Sequence, residues 1–166
     1  MSTITVRDSK FANYAALLLR IGLGVGFLSA VADRLGLWGA FGQPNVEWGN
    51  FSRFLEYTHT LNWYLPPEII PTLGVIATGA EILFGLLLLI GWHTRVAAGL
   101  SGLLLTTFGV SMTLALGIKA PLNFAVLTGI GGALLLASCE CFPFSLDELL
   151  SRRTLHRIRA GRVDTV

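Results

Sequence analysis

Residues 69–92 read IIPTLGVIATGAEILFGLLLLIGW and contain a single charged residue, Glu81. A helix needs about 20 predominantly apolar residues to cross the hydrocarbon core of a bilayer, and this stretch is long enough. Three further stretches are similarly apolar, so that the four predicted spans are about 11–36, 68–92, 95–118 and 121–140. The sequence therefore predicts an all-α integral membrane protein, built as an antiparallel four-helix bundle with a helical external loop between the first two helices.

The composition also favours a membrane protein. Of the 166 residues, 53% are hydrophobic and 13% are charged, whereas soluble domains carry about 25% charged residues. The mean hydropathy is +0.67. The formal net charge of +2 reflects the basic C-terminal tail and gives no reason to expect nucleic acid as a partner.

The basic residues predict the orientation. Residues 1–144 form the predicted transmembrane domain and residues 145–166 a basic tail, whose helix begins with the capping box Ser145 to Glu148. Cytoplasmic loops carry an excess of Lys and Arg, which puts both termini in the cytoplasm. The basic residues on that predicted side are Arg7, Lys10, Arg95, Arg152, Arg153, Arg157, Arg159 and Arg162, and those on the other side are Arg34, Arg53 and Lys119.

The first apolar stretch ends in Ala30-Val31-Ala32, which resembles a signal-peptide cleavage site. Arg20 interrupts the apolar run, and three glycines at alternate positions from Gly22 weaken it as a signal sequence. We therefore expect this segment to be retained as a membrane span.

The long connection between the first two predicted spans contains an amphipathic helix. Asn45 is a candidate N-cap for it, and Phe51, Phe54, Leu55 and Thr58 recur at helical spacing. The aromatic residues of the connection favour the headgroup layer. The helix either simply closes the bundle or acts as a lid over a ligand. The residues that could form a polar site on this external face are Asp33, Arg34, His59 and Lys119.

Arg20 and Glu81 are opposite charges inside predicted spans, and each should need a partner because an isolated charge at mid-bilayer is costly. Counting 1.5 Å per residue from the predicted cytoplasmic ends puts both at similar depth. Three interpretations are open: an ion pair that fixes the register of the first two helices, a functional binding site built on that pair, or Arg20 snorkelling to the interface beside a protonated Glu81.

Small residues recur at intervals of four in the first predicted span, at Gly22, Gly26 and Ala30. Such a pattern lets helices approach closely in lipid. It indicates packing within one bundle or, as the alternative, contacts in a homo-oligomer.

The two cysteines form a Cys139-Glu140-Cys141 unit after the fourth predicted span. The pair could be a redox dithiol, half of a soft-metal site, a lipidation target or two ordinary thiols. Two cysteines cannot complete a tetrahedral zinc site, so no metal is expected. No haem-ligand pair, nucleotide fingerprint or cluster-binding set is present in the sequence, and we expect no covalently bound cofactor.

Several motifs together resemble the DoxX family. They are Leu18-Leu19-Arg20-Ile21-Gly22-Leu23-Gly24, Ala80-Glu81-Ile82-Leu83-Phe84-Gly85 and Thr94-Arg95-Val96-Ala97-Ala98. Residues 45–62 and the Gly117-Ile118-Lys119-Ala120-Pro121-Leu122 motif resemble more closely the branch related to the small subunit of thiosulfate:quinone oxidoreductase. The resemblance covers about residues 15–138.

This resemblance implies a multi-pass protein of the bacterial inner membrane that takes part in sulfur or thiol redox metabolism linked to quinone. It transfers no proven catalytic residue, so whether the chain is an enzyme or a non-catalytic subunit stays open. The expected partners are the lipid bilayer, a quinone or other small molecule, and a redox partner protein. The alternative is a non-enzymatic protein, either a permease for a small solute or an assembly factor for membrane proteins.

Overall fold

The computed structural model describes residues 10–151. Their regular secondary structure is helical, and no β-strand occurs among them. A short 3-10 turn, Pro67–Ile69, leads directly into the third helix. The helices are α1 (Lys10–Arg34), α2 (Phe51–Leu61), α3 (Ile70–Ile90), α4 (Thr94–Leu116), α5 (Lys119–Asn123) and α6 (Val126–Ser138). Residues 146–151 are also helical. The predicted all-α class is therefore confirmed.

Helices α1, α3 and α4 are long and apolar enough to cross a membrane. Together with the preceding 3-10 turn, α3 makes a stretch of 24 residues, and α1 and α4 have 25 and 23. Large apolar side chains on all three are exposed, including Leu18 at 73% and Leu103 at 63%. A soluble monomer rarely exposes apolar surface on this scale, so these faces are suited to lipid.

The fourth predicted stretch, 121–140, is not one continuous helix. The chain breaks after α5, where Ala125 adopts a left-handed conformation with φ of 52°. Helix α6 has only 13 residues, which corresponds to a length of about 20 Å. It is thus shorter than the hydrocarbon core of about 30 Å.

The most extensive helix pairings are α1 with α3 and α4 with α6. A core of Phe27, Leu88, Ala97, Ala98 and Leu136 lies where these pairs meet. Each of these side chains is at most 5% exposed. Apolar packing therefore joins the two helix pairs.

Close approach of α1 and α3 depends on Gly24 and Gly85. A Cβ added to Gly24 would lie 3.0 Å from the Gly85 carbonyl oxygen, and one added to Gly85 would lie 3.1 Å from that of Gly24. A Cβ added to Gly22 or Gly26 would meet nothing within 4 Å, so these two glycines face away from the packed helices. The prediction that they pack inside the bundle is therefore wrong, because the helix presents Gly24 to its neighbour instead.

Helix α1 is staggered along α3. Its Arg20 lies against Gly91, the residue that follows α3, whereas its last residue, Arg34, reaches only to Thr78 and Glu81 in the middle of α3. Ten residues separate Glu81 from Gly91, or about 15 Å along a helix. The stagger leaves a recess above the end of α1, and the connection containing α2 covers it.

The segment after α6 folds back over the other end of the helices. Arg20 donates to the carbonyl oxygens of Pro143, at 3.4 Å, and Phe144, at 2.8 Å. The Asp147 carboxylate accepts from the backbone N–H groups of His93 and Thr94 at 2.9 and 2.8 Å. These N–H groups begin α4, where a carboxylate is favoured by unpaired donors and by the helix dipole. This arrangement, which we call the inner clasp, fixes residues 143–147 to α1 and α4.

Two sequence expectations about caps have different outcomes. Helix α2 is capped by Asn50, whose side-chain oxygen accepts from the Arg53 N–H at 2.9 Å, so the predicted Asn45 cap is wrong. Asn45 instead lies in a turn with φ of 63°. In the predicted Ser145–Glu148 box, Glu148 N–H donates to the Ser145 hydroxyl at 3.1 Å, while the Glu148 carboxylate accepts from Phe144 N–H at 2.9 Å. The box therefore forms with its return contact shifted by one residue.

Candidate functional site

The charged centre of the protein is an ion pair between Arg34 and Glu81. Arg34 Nη2 donates to Glu81 Oε1 at 2.9 Å, and Nη1 donates to Oε2. Nη1 also donates to the Thr78 hydroxyl at 3.1 Å, and that hydroxyl donates to the Gly74 carbonyl at 2.8 Å. Arg34 and Glu81 are only 3% and 2% exposed. This two-pronged geometry is the strongest form of an arginine–carboxylate contact.

The predicted pairing of Arg20 with Glu81 is wrong. Both carboxylate oxygens of Glu81 accept from Arg34, and Arg20 bonds to the carbonyls of the inner clasp. The prediction assumed that the cytoplasmic ends of the two helices lie at the same depth in the membrane, and this assumption is wrong. In the structure α1 starts about ten residues, or roughly 15 Å, beyond the end of α3.

Asp33, next to Arg34, holds the connection that covers the pair. Its Oδ2 accepts from the N–H groups of Glu47 and Trp48 at 2.9 and 3.2 Å, and its Oδ1 accepts from Gly49 N–H at 3.2 Å. Three consecutive backbone donors on one carboxylate form an anion-binding concavity of the kind that fixes loop conformation. Asp33 therefore anchors the start of α2 beside the ion pair.

Aromatic rings of that connection lie over the Arg34 guanidinium. The Arg34 Cζ atom is 3.8 Å from the centroid of Phe54 and 5.1 Å from that of Trp48. A cation gains electrostatic attraction from the face of an aromatic ring at such distances. Arg34 Nε is nevertheless buried with no hydrogen-bond acceptor within residues 10–151. The site thus keeps one unused donor under an aromatic cover.

The other end of α2 is joined to α4 by Asn62. Its side-chain oxygen accepts from the Ser111 hydroxyl and from the Tyr64 hydroxyl, each at 3.2 Å, and its amide donates to the Thr58 carbonyl at 2.9 Å. Helix α2 is thus held by polar contacts at both ends.

Tyr57 lies in the middle of α2. Burial, and secondly repulsion by Glu47, raise the pKa of its phenol, so this phenol is neutral at physiological pH.

The predicted external polar site is only partly assembled. Asp33 and Arg34 are buried at the end of α1, but His59 and Lys119 are exposed. Within the described part of the chain, their side chains make no hydrogen bond or ion pair to the other two. The site is instead completed by Glu81 and Thr78, which sequence reasoning had not assigned to this face.

The cysteines lie after α6, away from the Arg34–Glu81 pair. Both are free, and Arg95 Nη2 donates to the Cys139 carbonyl at 2.8 Å. No group of three or more potential metal ligands occurs between residues 10 and 151. Among the described residues, no third ligand therefore joins the two thiols.

One signal in the sequence could have identified Arg34 as the partner of Glu81. Phe54 and Thr58 are four residues apart, so they share one face of an amphipathic helix that was expected to cover part of the bundle. A group covered by this helix is expected to lie near the ends of the connection that contains it. Arg34 is the cation at the end of the first apolar stretch, where that connection begins. Comparisons of the chain with family models, with curated proteins and with solved structures found no match.

Proposed function

We propose that this protein is an antiparallel four-helix protein of the bacterial inner membrane that resembles the DoxX family and serves as a quinone-binding subunit in redox metabolism. In this proposal α1, α3, α4 and the α5–α6 region are the four members of the bundle. The contacts of Gly24 with Gly85 and of Arg34 with Glu81 support opposite directions for α1 and α3. The redox partner supplies the electrons, and this chain binds the quinone head group.

The observation that carries the proposal is the unused donor of Arg34. A quinone presents carbonyl oxygens, which accept hydrogen bonds but cannot donate them. Arg34 Nε is a buried donor without an acceptor among the described residues, and rings of Phe54 and Trp48 lie beside its guanidinium. Ligand sites typically combine such apolar and aromatic walls with a few polar groups that fix orientation. Glu81 holds the guanidinium in place and would thereby orient Nε.

The covering connection would control access to this site. Helix α2 is attached through Asp33 at one end and Asn62 at the other. Both attachments are hydrogen bonds, which water can replace when α2 moves outward. A quinone head group would enter from the membrane beside α2 and displace part of the aromatic cover.

A binding measurement tests the proposal. A short-chain ubiquinone or menaquinone analogue should quench the fluorescence of purified protein saturably, because Trp48 lies beside Arg34. Arg34→Lys retains the charge but removes Nε, and it should weaken binding about tenfold or more, since a hydrogen bond from a charged group contributes roughly 1.5–3 kcal/mol. The matched control is Arg20→Lys, which makes the same change at the inner clasp and should leave the affinity unaltered.

Two results would contradict the proposal. They are the absence of saturable quenching by either analogue, and equal affinities for the unmodified protein and Arg34→Lys. The function would then be that of a solute permease or an assembly factor, in which the Arg34–Glu81 pair only fixes the helices.

The orientation has its own test. We expect both termini on the cytoplasmic side, because the inner clasp joins the start of the basic tail to the turn between α3 and α4, and eight basic residues are predicted on that side. Cys141 is exposed and native to this end. It should resist a membrane-impermeant maleimide in intact cells and react after permeabilisation. A cysteine introduced at Lys119, in a variant lacking both native thiols, should react with the maleimide in intact cells. Labelling of Cys141 in intact cells would show that the topology is the opposite of the proposed one.

A further inference from the structure

A groove of about 760 Å³ lies between the first turn of α1 and the segment that follows the inner clasp. It is at the opposite end of α1 from the Arg34–Glu81 pair, and its interpretation is independent of the proposed quinone site. Its size is within the range of roughly 300–1,000 Å³ that is typical of small-molecule sites. The polar residues that line it include Lys10, Asn13 and Tyr14, and the apolar ones include Ile90, Phe144 and Leu149.

The groove changes in polarity along its length. Ile90 ends α3, one of the helices suited to span a membrane, so this part of the groove lies at the edge of the hydrocarbon layer. Lys10 begins α1, ten residues before Arg20, and this places it about 15 Å further out along the helix axis. An amphiphile bound here would thus have its polar group near Lys10 and its chain near Ile90.

Two charged groups line the groove, and the Glu148 carboxylate already accepts from the Phe144 N–H, which leaves the Lys10 ammonium to select the sign of the ligand's polar group. The Lys10 ammonium makes no ion pair within residues 10–151, and Asn13 and Tyr14 bring a further amide and hydroxyl to the same side of the helix. All three can donate hydrogen bonds. A basic residue at a membrane surface attracts anionic lipid.

The wall of the groove opposite Lys10 is held in place by ring stacking and by hydrogen bonds. Phe144 stacks on Tyr14 with ring centroids 6.4 Å apart and an interplanar angle of 20°. Its backbone is fixed from two sides, because its carbonyl accepts from Arg20 and its N–H donates to the carboxylate of Glu148, the acidic residue of the lining. The inner clasp therefore fixes the position of Phe144 in the groove wall.

We propose that this groove binds an anionic phospholipid, with the phosphate group at Lys10, Asn13 and Tyr14 and the start of an acyl chain along Ile90, Phe144 and Leu149. Phosphate chemistry alone could also be supplied by free inorganic phosphate. The apolar part of the groove distinguishes the two, because only the lipid has a chain that can occupy it.

Native mass spectrometry of the full chain in detergent, titrated with phosphatidylglycerol, tests the proposal. One phosphatidylglycerol should bind more tightly than phosphatidylcholine of the same chain length. Lys10→Gln should weaken phosphatidylglycerol binding about fivefold, since one basic residue near a membrane surface contributes roughly 1 kcal/mol. The matched control is Lys119→Gln. Lys119 is the other lysine of the chain and follows the end of α4 that is remote from the inner clasp.

A second variant, Asn13→Trp, fills the groove and should abolish the tightly bound lipid while leaving the helical content unchanged by circular dichroism. Millimolar inorganic phosphate should not displace the lipid, and displacement would mean that the site is a phosphate site and not a lipid site. Equal affinities for phosphatidylglycerol in the unmodified protein, Lys10→Gln and Asn13→Trp would overturn the proposal outright.

Discussion

Replacing Arg34 by Met should lower the free energy of unfolding by about 3–5 kcal/mol, because it leaves the Glu81 carboxylate buried without a cation. Glu81→Leu should be similarly damaging, since it strands the Arg34 guanidinium. The double variant should regain most of the loss, because two apolar side chains of similar volume need no partners. Unfolding in mixed micelles, followed by far-ultraviolet circular dichroism, would give the three values.

The control uses the cation of the inner clasp. Arg20→Met should also destabilise the protein, but its effect should add to that of Glu81→Leu, because the two residues have no common partner and Arg20 lies against Gly91, ten positions after Glu81. Independent sites generally add to within about 0.5 kcal/mol. A strong coupling between Arg20 and Glu81, together with additivity for Arg34 and Glu81, would reverse the assignment made from the structure.

Gly91→Ala should strongly destabilise the protein. Gly91 has a φ of 73°, and an added Cβ would lie 2.7 Å from Arg20 Nη1 and 2.8 Å from the Ser145 Cα atom. The left-handed conformation alone costs a non-glycine residue about 1–2 kcal/mol, and the contact must in addition push the clasp away. We expect a loss of roughly 2–4 kcal/mol, which combines the backbone strain with the about 1–3 kcal/mol that is typical of overpacked sites. Thermal unfolding of the purified protein would measure it.

Gly117→Ala provides a comparison without a side-chain contact. Gly117 also has a positive φ, of 82°, but an added Cβ there would meet nothing within 4 Å. Its ψ of 164° belongs to a backbone region that is essentially restricted to glycine, so its substitution should cost backbone strain alone. A loss at Gly91→Ala no greater than the about 1–2 kcal/mol of a left-handed residue would mean that the inner clasp is not pressed against Gly91.

The helical class and the positions of α1, α3 and α4 follow from the sequence because the bilayer imposes a simple rule on length and hydropathy. The interruption at Ala125 was not predictable in this way. Residues 121–140 are apolar enough for a span, and hydropathy does not report a single residue with a left-handed backbone.

The site was harder to predict than the helices because it depends on how far one helix slides along another. Hydropathy locates each span to within a few residues, but it gives no vertical offset between neighbours. Arg20 and Arg34 are both on α1, 14 residues apart, so the offset alone decides which cation meets Glu81. The close contact of Gly24 with Gly85 sets that offset, and the glycine pattern of α1 offered three equally spaced candidates for it.

The carbonyl groups that accept from Arg20 belong to residues 123 and 124 positions later in the chain. During synthesis α1 therefore enters the membrane long before its acceptors leave the ribosome, and Arg20 must rely on water or lipid headgroups until then. Native contacts of such long sequence separation form late. A chain that stopped before residue 143 would contain every span-like helix and yet keep an unsatisfied cation at its inner edge. Formation of the inner clasp is therefore the step that gives Arg20 its acceptors, and it can occur only after residues 143 and 144 have been synthesised.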